Sequence, residues 1–338
     1  MRRMLLQALF LQALFLQALG LAVVLFWSFA AQAQAPASPE IAPRVEIHPI
    51  PSLTLTDQQF LTGDAAGKPV TMTGEFRIAQ GTGRLPVVIL MHGSGGIGPN
   101  VETWTRQFNA MGISTFAIDG FTGRGMTAVN TNQALLGRLA FVLDIYRALD
   151  ILAKHPRVDP SRVILMGFSR GGQAVLYASL TRFQKLWNTS GIEPAAYIPF
   201  YPDCMTTYIG DTDVAAKPIR IFHGAPDDYN PVASCRDYLA RLKEAGRDVT
   251  ITEYPDAQHG FDTPFPIGSI VATEAQTVRN CRIREADGGA LLNVSTQQPF
   301  RYTDACVQLN PHVGGNVEAT RAAHQAVGDF VRQIFKLE

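Results

Sequence analysis

The sequence predicts an α/β protein with a mostly parallel central sheet and helices on both faces. Continuous apolar runs such as Leu85–Met91 and Val163–Met166 have the pattern of strands buried on both sides. They alternate with amphipathic stretches at helical period, which is how a helix-covered parallel sheet is written in sequence. With 338 residues, 46% hydrophobic and only 17% charged, the chain can bury one large core.

The N-terminus reads as a separate object. Arg2 and Arg3 precede an uncharged run from Met4 to Ala33 that ends in small residues, and Ala31-x-Ala33 offers a cleavage site. Residues 1–33 are therefore expected to be a secretory signal peptide. Leu6-Gln-Ala-Leu-Phe10 recurs at 11–15 and nearly at 16–20, a duplication that lengthens the apolar segment. The alternative is a retained membrane anchor, since the run exceeds the roughly 20 residues that span a bilayer. Residues 34–52, rich in proline and alanine, are expected to form a linker that packs little, and 53–338 the globular domain.

From Leu53 to Ile78, alternating runs such as Val70-Thr-Met-Thr and Glu75-Phe-Arg-Ile predict antiparallel strands, with turn signals at Gly63-Asp64 and Ala66-Gly67. After the strand at Leu85–Met91 comes His92-Gly-Ser-Gly-Gly96, a turn able to aim backbone N–H groups at an anion. A helix from Asn100 to Ala110, a strand from Ile113 to Asp119 and a long helix from Gln133 to Ala153 follow. Later strands are expected at 195–200, 219–222 and 249–254, and helices at 231–245 and 321–335.

Gly167-Phe-Ser-Arg-Gly171 matches G-x-S-x-G between an apolar strand and a helix. A serine on such an elbow has its hydroxyl pushed out, so Ser169 is the candidate nucleophile. A serine hydroxyl needs a base to take its proton and a carboxylate to orient that base. His259 follows the last expected strand in Pro255-Asp-Ala-Gln-His259-Gly and is the candidate base. Asp227, in His223-Gly-Ala-Pro-Asp-Asp-Tyr-Asn-Pro231, is the candidate acid. Neighbouring Asp228 is an alternative acid and Asp256 a weaker one. The backbone N–H groups of Arg170 and of the Ser94-Gly95 turn are the natural oxyanion donors. His92 reads as a structural loop residue.

Net charge is zero, with 29 basic and 29 acidic residues, which argues against nucleic acid or an anionic membrane surface as the main partner. Four cysteines fit an exported, periplasmic or secreted protein. No Cys-x-x-Cys and no Cys/His cluster at zinc-ligand spacing is present, so a metal is not expected.

Taken together, the HGSGG, GFSRGG, HGAPDDYNP and DAQHGF segments resemble the α/β-hydrolase superfamily, and within it the dienelactone hydrolase family. The resemblance runs from about Val70 to Phe261 and includes the last helix. It implies the α/β-hydrolase fold, a Ser169–Asp227–His259 triad, and neither metal nor organic cofactor. Dienelactone hydrolases proper carry a cysteine nucleophile, so Ser169 favours a general carboxylic-ester hydrolase acting on a small-molecule ester. A peptidase or acyltransferase with the same triad, or a non-catalytic binding protein on this fold, are the alternatives.

Two regions lie beside that pattern. Arg124, in Gly120-Phe-Thr-Gly-Arg124-Gly, could hold a substrate carboxylate or tie down its loop. Residues 262–317 form an insertion before the C-terminal helix, expected as a rim or lid. Cys281–Cys306 would staple hairpin strands at Cys281-Arg-Ile-Arg and Phe300-Arg-Tyr-Thr, and Cys204–Cys235 would form a second bridge.

Overall fold

The computed structural model describes residues 44–265 and 268–337. The expected signal peptide and the first part of the linker lie outside the described residues. In the core the strands are β1 (Arg44–Thr54), β2 (Lys68–Ile78), β3 (Leu85–Met91), β4 (Ser114–Asp119), β5 (Val158–Phe168) and β6 (Ala196–Phe200). A short β7 (Thr206–Thr207) precedes β8 (Ile219–Gly224) and β9 (Val249–Tyr254). The helices are α1 (Asp57–Thr62), α2 (Pro99–Ala110), α3 (Ala140–Lys154), α4 (Arg170–Tyr177), α5 (Thr181–Trp187), α6 (Val232–Glu244) and α7 (Val317–Phe335).

Eight strands make one sheet in the order β1-β2-β4-β3-β5-β6-β8-β9. β1 and β2 pair antiparallel, β2 runs antiparallel to β4, and every later pairing is parallel. The period-2 alternation sorts the central side chains between the two faces. Val87, Ile89, Met91, Val163 and Leu165 pack on the side of α3, α4 and α6. Val88, Leu90, Ile164, Met166 and Phe168 pack toward α2 and α7. Both faces of β3 and β5 are thus buried, which is why their sequences are apolar throughout.

Several elements differ from the sequence reading. From Arg44 onward the expected linker is β1, paired with β2 over all eleven of its residues. Pro49 and Pro51 are tolerated because β1 is an edge strand, where a missing N–H breaks no outer ladder. The carboxylate of Glu46 ties β1 to the end of α3 through His155 Nε2 at 3.0 Å. The helix expected from Gln133 is a 3-10 turn at Gln133–Leu135, and α3 starts only at Ala140. A Cβ at Gly137 would sit 2.8 Å from the Leu55 carbonyl, so the chain between the two segments lies against β1's end.

The insertion is built from two- and three-residue strands: β10 (Ile270–Val271), β11 (Gln276–Thr277), β12 (Ile283–Glu285), β13 (Leu291–Asn293), β14 (Gln308–Leu309) and β15 (His312–Val313). β12 pairs with β13 and, in parallel, with β7. Phe300–Thr303 is not a strand, so the expected hairpin partner of Cys281-Arg-Ile-Arg is instead β13. Cys281 is bonded to Cys306, and Cys204 to Cys235. No helix among the described residues is long and apolar enough to cross a membrane.

Candidate active site

Ser169 stands between β5 and α4 with φ 55° and ψ −115°. A non-glycine residue in that region carries strain of order 1–3 kcal/mol, which only a fixed surrounding can hold. Its N–H donates to the Phe200 carbonyl at 3.0 Å, and its own carbonyl accepts from Gln173 N–H at 2.8 Å. The glycines of the motif are there for space. A Cβ at Gly171 would lie 2.1 Å from the Met91 carbonyl, and one at Gly167 would lie 2.3 Å from the Gly171 carbonyl.

Two loops at the carboxyl ends of later strands bring the other groups to this serine. His259 Nε2 lies 2.8 Å from Ser169 Oγ, and its Nδ1 lies 2.8 Å from Asp227 Oδ2. The other carboxylate oxygen of Asp227 accepts the N–H groups of Tyr229 at 2.8 Å and Asn230 at 2.9 Å. A carboxylate at Nδ1 makes that nitrogen the donor and leaves Nε2 free to accept the serine proton. Asp228 faces away from His259. Its carboxylate accepts Arg279 Nη1 at 2.9 Å and the His312 N–H at 2.7 Å, and contacts His312 Nδ1 at 3.0 Å. Burial alone would raise the Asp228 pKa, but the His312 bonds and the Arg279 charge outweigh it and hold the carboxyl below its usual range. Asp256 is exposed, and both ring nitrogens of His259 are engaged elsewhere, by Asp227 and Ser169.

His92 is buried, and its ring is used within the loop. Its Nε2 accepts Gly120 N–H at 2.9 Å, so Nδ1 is the protonated nitrogen that donates to Gly93 O at 2.7 Å. Burial lowers its pKa, in keeping with a neutral ring. Arg124 does not reach the cleft. It forms a buried two-pronged pair with Asp144 at 2.6 and 2.9 Å and also donates to the carbonyls of Gly120 and Leu53. Of the two expectations for Arg124, these bonds agree with the one in which it ties down its loop and not with the substrate clamp. The Arg170 side chain caps the carbonyls of Gln133, Leu136 and Gly137, and so holds the turn before α3.

Ser169, His259, Ser94 and Gly95 share one cleft of about 300 Å³. The insertion contributes Ala272, Ala275 and Val313 to its wall. Sequence reasoning missed the two tyrosines that clasp the histidine. The Tyr229 ring stacks on His259 at 4.5 Å and 27°, and Tyr201 meets it edge-on at 4.7 Å. Burial pushes the Tyr229 hydroxyl up to about 12, so it keeps its proton. Tyr201 donates to Asp262, which also accepts from Trp104 Nε1 at 2.8 Å and Asn100 Nδ2 at 3.2 Å. The only signal for these tyrosines was position: Tyr229 comes two residues after Asp227, and Tyr201 directly follows β6.

One cluster has ligand types suited to a metal. Glu46, His48 and His155 bring a ligand atom each within 4.8 Å of one another. Their spacing in sequence, 109 residues between Glu46 and His155, hides this. As arranged, His155 Nδ1 accepts the Arg157 N–H at 3.2 Å, so Nε2 holds the proton and donates to Glu46. The trio is satisfied as a hydrogen-bonded strand anchor.

The sheet order and the serine elbow define an α/β-hydrolase fold. Residues 75–282, more than half of the chain, match the dienelactone hydrolase family, and the protein belongs to that family. It is 32% identical over 107 residues to acyl-protein thioesterase 1 of Emericella nidulans, covering 31% of this chain and 44% of that one. It is 23% identical over 216 residues to the uncharacterized peptidase YuxL of Bacillus subtilis, covering 54% of this chain and 32% of that one. The chain thus spans less than half the length of these curated relatives. Among solved structures, a dienelactone hydrolase-like promiscuous phosphotriesterase, P91, from metagenomic libraries superposes with a TM-score of 0.56 at 17% identity. That match covers 86% of this chain and 98% of P91, and shows the fold.

Proposed function

We propose that the protein is a serine hydrolase that cleaves a small-molecule carboxylic ester through an acyl-enzyme. The observation that carries this is the unbroken pair of 2.8 Å contacts from Ser169 Oγ through His259 to Asp227 at the mouth of a cleft. In the first step Ser169 Oγ attacks the acyl carbonyl while His259 Nε2 takes its proton. The carbonyl oxygen becomes an oxyanion, received by the N–H of Arg170 and one from the Ser94-Gly95 turn. Loss of one such donor typically costs about 10²–10³ in rate. Collapse expels the alcohol, which takes the proton from His259. A water then attacks the acyl-serine as His259 accepts its proton, and the acid leaves with Ser169 restored. Asp227 keeps His259 in the Nδ1–H tautomer and stabilises its cation.

The mechanism uses no metal or organic cofactor. Two disulfides and the N-terminal pattern support an exported setting, with a membrane contact only if that segment is retained. A thioester or a peptide suits the same nucleophile, and the names of the two relatives bring both into the test. Rates on short-chain p-nitrophenyl esters, their thioester counterparts and peptide p-nitroanilides are compared for the wild type and Ser169→Ala. Ester turnover exceeding peptide turnover, lost in the variant, is expected. Exclusive peptide cleavage would replace the ester reading, and a folded wild type inert on every class would favour a binding protein.

A further inference from the structure

Ser169 also borders a second, smaller pocket whose lining does not include His259. It has a volume of about 30 Å³ and is lined by Arg138, Gln173, Asp203 and Tyr302 among others. At roughly 10–15 Å³ per water it accommodates about two to three non-hydrogen atoms beyond the reacting group. Gln173 lies one helical turn after Ser169 on α4, on the same face of the helix. An outer groove of about 580 Å³ shares Arg138, Gln276 and Tyr302 with this pocket as wall residues.

Two side chains that line this pocket each carry a donor without a partner. Gln173 Nε2 and Arg138 Nε are buried without a hydrogen bond, in side chains that are each 3% exposed. Buried donors are nearly always satisfied, and an orphan costs the desolvation of its N–H. The Arg138 charge is already matched by Asp203, and its Nη1 donates to the Tyr302 hydroxyl at 2.8 Å. A ligand carboxylate would be repelled by the Asp203 carboxylate, whereas a neutral oxygen brings no charge against it and can accept from a free donor.

Building on the serine-esterase reading, we propose that this pocket is an acyl subsite for short acyl groups carrying a neutral ether, hydroxyl or keto oxygen beside the scissile carbonyl. Gln173 is its specificity-determining residue, and Arg138 is the second donor. Hydrolysis thus leaves a short oxygen-substituted carboxylic acid, which a downstream oxidoreductase or acyl-activating reaction would consume.

The test uses p-nitrophenyl methoxyacetate, p-nitrophenyl butyrate of the same chain length, and p-nitrophenyl hemisuccinate, each kcat/KM divided by the spontaneous hydrolysis rate. The wild type is expected to favour methoxyacetate over butyrate by about fivefold to tenfold, the size of one net hydrogen bond. In Gln173→Leu or Gln173→Met that ratio is expected to fall to near unity. The wild-type ratio decides the matter even if both variants fail to fold. An active wild type with no corrected preference for methoxyacetate overturns this subsite alone, as does a preference for the hemisuccinate over both neutral esters. A wild type inert on all three esters overturns the esterase reading, and the subsite falls with it.

Discussion

The sheet and the insertion wall the same cleft, yet they are held by different forces. β3 and β5 are buried on both faces among large apolar side chains, and their positions follow from the hydrophobic effect. The insertion has a buried apolar cluster of three residues, Val278, Cys281 and Ile283, and it leaves Ile270, Val271 and Leu309 exposed. In place of a core it has the Cys281–Cys306 bond and polar tethers to the catalytic loops. Arg279 and His312 grip Asp228, the Thr277 hydroxyl donates to Tyr229 O at 2.5 Å, and Gln276 Oε1 accepts the Gln133 N–H at 2.8 Å. The strands that carry the proposed triad are thus fixed by packing, whereas the insertion's share of the cleft wall is fixed by a covalent link and polar bonds.

Adjacent residues Asp227 and Asp228 divide between these two regions, and that split gives the largest expected contrast. Asp227→Asn removes the carboxylate at His259 Nδ1 and is expected to lower kcat by about 10⁴-fold. Asp228→Asn frees Arg279 and His312, and is expected to raise KM with a kcat loss of at most about tenfold. Steady-state kinetics on both variants check this; equal losses of kcat would dissolve the distinction.

A smaller effect is expected from Cys281→Ser with Cys306→Ser. The bond closes a loop with a sequence separation of 25, and in the chain-entropy picture it is worth about 3 kcal/mol to whatever unfolds with it. If the insertion is held as described, the double variant loses hydrogen-exchange protection in residues 268–313 while β3 and β5 keep theirs. Loss of protection throughout the sheet would make insertion and core one unit.

The smallest effect is the acid sensitivity of the Asp228 tether. Its folded pKa is lowered, so its contribution is complete above the unfolded value near 4 and disappears as the pH falls through the folded one. Exchange protection of the insertion is therefore expected to be flat from pH 7 to about 5 and to drop below about 4. In Asp228→Asn that acid step disappears.

The same contrast explains how much was legible in the sequence. Buried strands such as β3 and β5 announce themselves as continuous apolar runs, and Ser169 follows one; Asp227 and His259 follow β8 and β9, where apolar residues alternate with polar ones. The Asp227–Asp228 choice was left open because adjacent carboxylates differ only in where the backbone turns them. β1 was hidden by Pro49 and Pro51, which an edge strand tolerates and a linker favours. The insertion's pairings join residues such as Ile270 and Val313, too far apart and too short for any period to register. Arg138 is unremarkable in sequence, and it reaches the pocket beside Ser169 only because the chain turns at Gln133–Leu135 before α3.

The central claim is that Ser169 is the atom that takes up the acyl group. Mass spectrometry of the wild type and Ser169→Ala after brief mixing with p-nitrophenyl butyrate and acid quench tests it most directly. The expected result is one butyryl group per wild-type chain, on the peptide bearing Ser169, with a matching burst of p-nitrophenol and neither in the variant. Full turnover with no acylated serine, or a butyryl group on another residue that persists in Ser169→Ala, would contradict it.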